Sequence, residues 1–186
     1  ALPIYHFMKF LYVVAAKSIS DLALTLIEMG HTVALVSEIE PDPINPDEAH
    51  MAVIADAIER EKPDYVISYL FIPIVSQVSH SYGIPYISWT YDSPLTSLFC
   101  RELEYDNNYI FIFDKQEYMR LKSRYIANIY YLPMAANPSR IGAIDLKDEE
   151  ISRLSSDISF IGTLYQQNAY NSCISYLDEL TQFELK

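Results

Sequence analysis

Three short stretches of this 186-residue chain bring together residue types able to do chemistry. In ISWTYDSPL, from Ile87 to Leu95, an apolar run ends at Trp89, and Tyr91, Asp92 and Ser93 follow just ahead of Pro94. A carboxylate placed there can take a proton from a hydroxyl nucleophile or accept a hydrogen bond from a sugar hydroxyl. Asp or Ser before a proline in a first helical turn also satisfies free backbone amides, so capping competes with catalysis for these residues. Ser18 stands where a first helix would begin, and the amides around it can hold an anionic or carbonyl oxygen. Asp114 and Lys115, in FIFDKQEY, can reach a ligand, but Asp114 equally suits a helix N-terminus, where its charge complements the dipole.

Other chemistries are poorly served. The four glycines, Gly30, Gly83, Gly142 and Gly162, stand alone, so no glycine-rich phosphate cradle can form. His6, His31, His50 and His80 have no i, i+4 pairing, and no acidic cluster has metal-ligand spacing, so no metal is expected. Cys100 and Cys173 lack C-x-x-C spacing and read as two reduced thiols of a cytoplasmic protein. The 16 tyrosines and the single tryptophan suggest aromatic cleft walls of the kind carbohydrates stack on, although strand propensity also accounts for tyrosine.

The elements that must position these residues alternate. Short runs rich in β-branched and aromatic residues predict strands at Lys9–Val14, Thr32–Ser37, Tyr65–Leu70, Tyr86–Trp89, Tyr109–Phe113, Ile129–Leu132 and Ile158–Ile161. Most are apolar on both faces, as in a parallel sheet covered by helices. Between them, Ser18, Ser20 or Asp21 can cap a helix ended by Gly30, Asp47 begins one that runs to about Glu61, and Gly83 closes Ile72–Tyr82. Pro94 is expected to start a further helix. The pattern predicts an α/β, doubly wound parallel sheet of the Rossmann-like kind, whose ligands sit beyond the carboxyl ends of the strands. Residues 1–7 read as an extension, 8–140 as the Rossmann-like domain, 141–156 as an acidic linker, and 157–186 as the strand and helix that open a second α/β domain.

Charge narrows the partners. Thirteen Lys and Arg against 25 Asp and Glu give a net charge of -12, which repels nucleic acid and anionic membrane surfaces. The longest apolar runs, such as Met8–Ala16, are far short of the roughly 20 residues of a membrane span. The opening ALPIYHF has neither a basic n-region nor a small-residue cleavage site, so no secretory signal is expected.

Three segments together, WTYDSP at Trp89–Pro94, FIFDKQEYMRLKSRYIANIYYLPMAANP at Phe111–Pro138 and DISFIGTLY at Asp157–Tyr165, resemble the CgeB-type, spore-maturation-like glycosyltransferases. The resemblance implies a GT-B architecture of two Rossmann-like domains, with this chain supplying the N-terminal, acceptor-side half and the start of the C-terminal donor domain. It implies transfer of a sugar from a nucleotide-sugar donor to a small-molecule or glycan acceptor, without metal or other cofactor. Related GT-B enzymes often carry a His-Asp pair after the fourth strand. Tyr91 and Asp92 stand at the similar place, which makes Asp92 the candidate base. Asn137 and Gly162 match the linker and the first strand of the second domain, at the expected cleft floor.

A non-catalytic, flavodoxin-like binding or interaction module is the alternative, with 157–186 packing as its last strand and helix. A receiver-like phosphoacceptor is disfavoured: it needs acids after the first strand and a phosphorylatable Asp after the third, and YVVAAKS and YLFIP contain neither. With only the opening of a donor domain, this chain alone is expected not to turn over sugar. A radiolabelled transfer assay showing turnover by the 186 residues would contradict that.

Overall fold

The computed structural model of the chain describes residues 7–14, 21–37, 48–124 and 126–162. Two compact units divide it, Ala1–Ala143 and Ile144–Lys186.

The first unit is built on six strands, β1 (Lys9–Val13), β2 (Thr32–Val36), β3 (Tyr65–Tyr69), β4 (Tyr86–Thr90), β5 (Asn108–Ile112) and β6 (Ile129–Tyr131). All neighbours pair in parallel, in the order β2-β1-β3-β4-β5-β6. Each lies within one residue of its predicted bounds, because apolar β-branched and aromatic runs bounded by polar turns satisfy a buried parallel strand and little else. The doubly wound α/β fold expected from the sequence is therefore present.

Helices occupy both faces. On one, α2 (Glu48–Glu61), α3 (Pro73–Ser81) and α4 (Lys115–Lys122) bury Ile54, Ile58, Val75, Val78 and Leu121 against Leu11, Val66, Ile110 and Ile112. On the other, α1 (Asp21–Glu28) sets Ala23, Leu22 and Leu26 against Phe10, Tyr12 and Ile67. Gly30 and Gly83 follow α1 and α3 with φ of +90° and +65°, the left-handed backbone that glycine adopts at little cost.

A buried polar seam holds the loop after β3. The Tyr86 hydroxyl, fully buried, lies 2.6 Å from Ser68 Oγ and accepts the backbone N–H of Ile72 at 3.0 Å. Leu70, whose φ is +60°, accepts Ser68 Oγ at 2.8 Å through its carbonyl. Burial drives the Tyr86 pKa far above its ordinary value, so the group acts here only as a neutral hydroxyl.

Two expectations are corrected. No helix starts at Pro94: the connection runs through two short 3-10 turns, Thr96–Phe99 and Arg101–Glu104. Ser97 Oγ donates to the Phe71 carbonyl at 2.6 Å, and Leu98 and Leu103 are buried, so tethering to the loop after β3 and burial against the core shape this segment. The seventh strand, Ile158–Ile161, is also absent, and its three apolar side chains are exposed. Strand propensity takes effect only beside a partner, and none of the described residues pairs with this run.

The second unit, considered alone, contains α6 (Asp148–Leu154) inside the stretch read as an acidic linker. Asp148, Glu149 and Glu150 fill its first turn, where they favour the dipole, and Glu150 accepts the Lys147 backbone N–H at 3.1 Å. The helix expected from Tyr165 onward lies outside the described residues. No helix among the described residues is long and apolar enough to cross a membrane.

Tyr86→Phe removes the acceptor of the Ile72 amide and the partner of Ser68 while keeping the ring. The expected loss is about 1–3 kcal/mol of unfolding free energy in urea denaturation, and an unchanged midpoint would refute the anchoring role.

Candidate functional site

Strand order reverses between β1 and β3, the place where an open α/β sheet leaves a crevice at its carboxyl ends. On the α1 face the strands end in aromatic residues held in register: Tyr69 pairs with Trp89, Trp89 with Phe111, and Phe111 with Tyr130. One row of four rings thus crosses four strands. Tyr69 and Trp89 are tilted with centroids 6.0 Å apart, and Phe111 stacks on Tyr130 at 5.3 Å. Beyond α1 the described residues cover this face only in part, with Trp89 and Phe111 half-buried and Tyr130 exposed.

A cleft of about 390 Å³ opens over the Tyr69 and Trp89 end of the row. Asp21, Thr25 and Glu28, on one side of α1, form one wall, and Ala135–Ser139 form the other. The second wall is fastened at both ends. The Trp89 indole N–H donates to the Leu132 carbonyl at 3.3 Å, and Arg140 grips Asp21 with both ends of its guanidinium, Nε to Oδ1 at 2.6 Å and Nη2 to Oδ2 at 2.9 Å. This fork-to-fork pair joins positions 119 residues apart and uses the full charge of each group. The second fastening lies in α5 (Pro138–Gly142), capped by Asn137, whose Oδ1 accepts the Arg140 backbone N–H at 3.0 Å.

The sequence-derived candidates fall into distinct groups. Asn137 lines the cleft and is buried, with 8% of its surface exposed. Its side-chain oxygen serves the cap, which leaves the amide NH2 without a hydrogen-bond partner among the described residues. Tyr91 meets Tyr69 edge to face at 5.3 Å, extending the aromatic lining to the rim. Burial raises the Tyr69 and Tyr91 hydroxyl pKa values, helped by the charge of Asp21 at Tyr69 and of Asp92 at Tyr91, so both hydroxyls remain donors. Asp92 and Ser93 are exposed and cap no helix, and Asp92 forms no hydrogen bond among the described residues. Asp114 does cap, accepting the Glu117 backbone N–H at 2.7 Å, and Lys115 is an exposed residue in the first turn of α4. Gly162 belongs to the second unit, where a Cβ would come within 2.6 Å of the Phe160 ring. Ser18 lies outside the described residues.

Glu28, Tyr69 and Arg140 carry no mark in the sequence, and Asp21 is marked there only as a possible helix cap. The aromatic row has a signal there, an aromatic within two residues of the end of successive predicted strands, but aligning it requires the register. Among the described residues, no cluster of His, Cys, Asp and Glu could hold a metal ion.

No family model matches the chain, and no curated protein matches it. Among solved structures it is similar to the Vibrio cholerae chemotaxis protein CheY4, at 15% identity and a TM-score of 0.38, over 73% of this chain and 93% of that one.

Cys100, half-buried beside the 3-10 turns, is unsuited to nucleophilic catalysis. Burial pushes its thiol up to about 11, and the neighbouring Glu102 adds to the effect. Only the thiolate alkylates, so in a Cys173→Ser background iodoacetamide should label Cys100 at pH 8 about tenfold or more slowly in the native chain than in the urea-unfolded chain. Equal rates would show an ordinary thiol.

Proposed function

We propose that the first unit binds a sugar in the cleft over Tyr69 and Trp89, as the acceptor-side half of a CgeB-type, two-domain glycosyltransferase. The observation that carries this reading is the in-register aromatic row at the carboxyl edge, bordered by hydrogen-bonding groups. The C–H faces of a pyranose are apolar and its rim is polar. Aromatic rings supply the first kind of contact, while the Asn137 amide, the Thr25 hydroxyl and a carboxylate supply the second. The WTYDSP and YLPMAANP segments that resemble the family both border this region, Trp89 at its floor and Ala135–Asn137 in its wall.

In the transferase reading, Asp92 takes the proton of the acceptor hydroxyl as that oxygen attacks the donor sugar, and the nucleotide diphosphate leaves with the glycosidic electron pair. A nucleotide-sugar serves as donor, with no metal or other cofactor. The exposure of Asp92 favours a second reading, a non-catalytic sugar-binding module, since nothing described orients that carboxylate.

Trp89, the single tryptophan, is a built-in reporter. Titrating the chain with monosaccharides should change its emission saturably, and Tyr69→Ala should weaken binding by about 1 kcal/mol or more. Emission unmoved by any sugar would refute the site. Turnover by the protein with its donor domain, lost in Asp92→Asn while binding persists, supports the transferase; binding without turnover supports the module.

A further inference from the structure

The walls of this cleft carry a charge pattern that restricts the ligand further. Among the described residues two carboxylates line it, Asp21 and Glu28, and no described lysine or arginine does. The adjacent cation, Arg140, is committed to Asp21 by its two-point pair. Glu28 is exposed in the last turn of α1, and no basic residue lies in that turn. Its charge adds to the negative end of the helix dipole instead of being offset by a side chain of that turn. Tyr69 and Trp89 form the floor, and aromatic faces attract a desolvated cation, tryptophan most strongly. Asn137, with 8% of its surface exposed, lines the same space while its side-chain oxygen caps α5.

We infer that the ligand of this cleft is an amine-bearing sugar, with its ammonium between Glu28 and the Tyr69–Trp89 floor, and that phosphorylated sugars are excluded. A phosphate would meet carboxylates and ring faces with no uncommitted cation among the described residues, a mismatch that costs affinity. An ammonium meets a carboxylate and two rings. The inference rests on the sugar-binding reading and specifies the charge of that ligand.

The test follows Trp89 emission in the full 186-residue chain during titration with glucosamine, N-acetylglucosamine and glucose 6-phosphate, at a pH where the amine is protonated. Glucosamine should bind about three- to tenfold more tightly than its N-acetyl form, and glucose 6-phosphate should bind most weakly. Glu28→Gln, a surface change on α1, should close the gap between the first two while N-acetylglucosamine binding persists. Equal affinities, a preference for the phosphate, or a gap untouched by Glu28→Gln would overturn the ammonium site and leave sugar binding standing. No response to any of the three would overturn both.

Discussion

The reversal of strand order at β1 is the constraint on which the cleft depends. From β1 the chain passes through α1 to β2 on one side, while every later strand is added on the other side of β1. Right-handed crossovers then place α1 on one face of the sheet and α2, α3 and α4 on the opposite face. The sheet continues through β4, β5 and β6 with no further described long helix on the α1 face. A parallel sheet normally has both faces covered. Among the described residues, the part left uncovered is the half whose strands end in Trp89, Phe111 and Tyr130, and the Ala135–Ser139 wall reaches it only beside α1.

An open face is useful for binding only if the loops above it hold still, and the opposite layer provides that rigidity. Ser68 and Tyr86 fix the loop after β3, Ser97 ties the 3-10 connection to Phe71, and Asn108 joins Ser76 to the Glu102 carbonyl. Polar groups buried in this way cost free energy unless they are satisfied, so the seam constrains geometry more than it adds stability. Two buried hydroxyls, on Ser79 and Ser88, lack partners among the described residues. Glu117, buried in α4, bonds Arg120 through one oxygen, and that guanidinium stacks over Phe99 at 4.3 Å. The segment after Pro94 is therefore held from two sides, by Phe71 at Ser97 and by α4 at Phe99.

Local signals made the scaffold legible in the sequence and left the site half-legible. Strand runs, Gly30, Gly83 and the Asp114 cap act within a few residues, and each appears where its local chemistry places it. Ile158–Ile161 failed for the complementary reason: a strand is a property of a pair, and one run carries no information about its partner. The aromatic row is similar, since Tyr69, Trp89, Phe111 and Tyr130 line up only once four parallel registers are fixed. Asp21 and Arg140, 119 residues apart, carry no local mark of their pairing. Asp92 looked like a helix cap because Asp-Ser-Pro usually is one, and tethering of Ser97 and burial of Leu98 moved the turn beyond its reach.

The charge balance of the first unit also bears on how a transferase would divide its work. A nucleotide diphosphate needs cations or uncommitted backbone amides to offset its charge. Within the described cleft the carboxylates of Asp21 and Glu28 outnumber the one neighbouring guanidinium, which is already paired. In the transferase reading, a donor reacting at Asp92 would be held by its diphosphate away from the described residues of this wall, with only its sugar entering over the rings. The same separation would act on Asp92: an exposed carboxylate is a weak and poorly aimed base, and a second surface closing on it would remove water and fix its direction. In the transferase reading, acceptor recognition by the aromatic floor and proton removal at the rim would thus be separable, the first resting on side chains of this unit and the second on what closes over it.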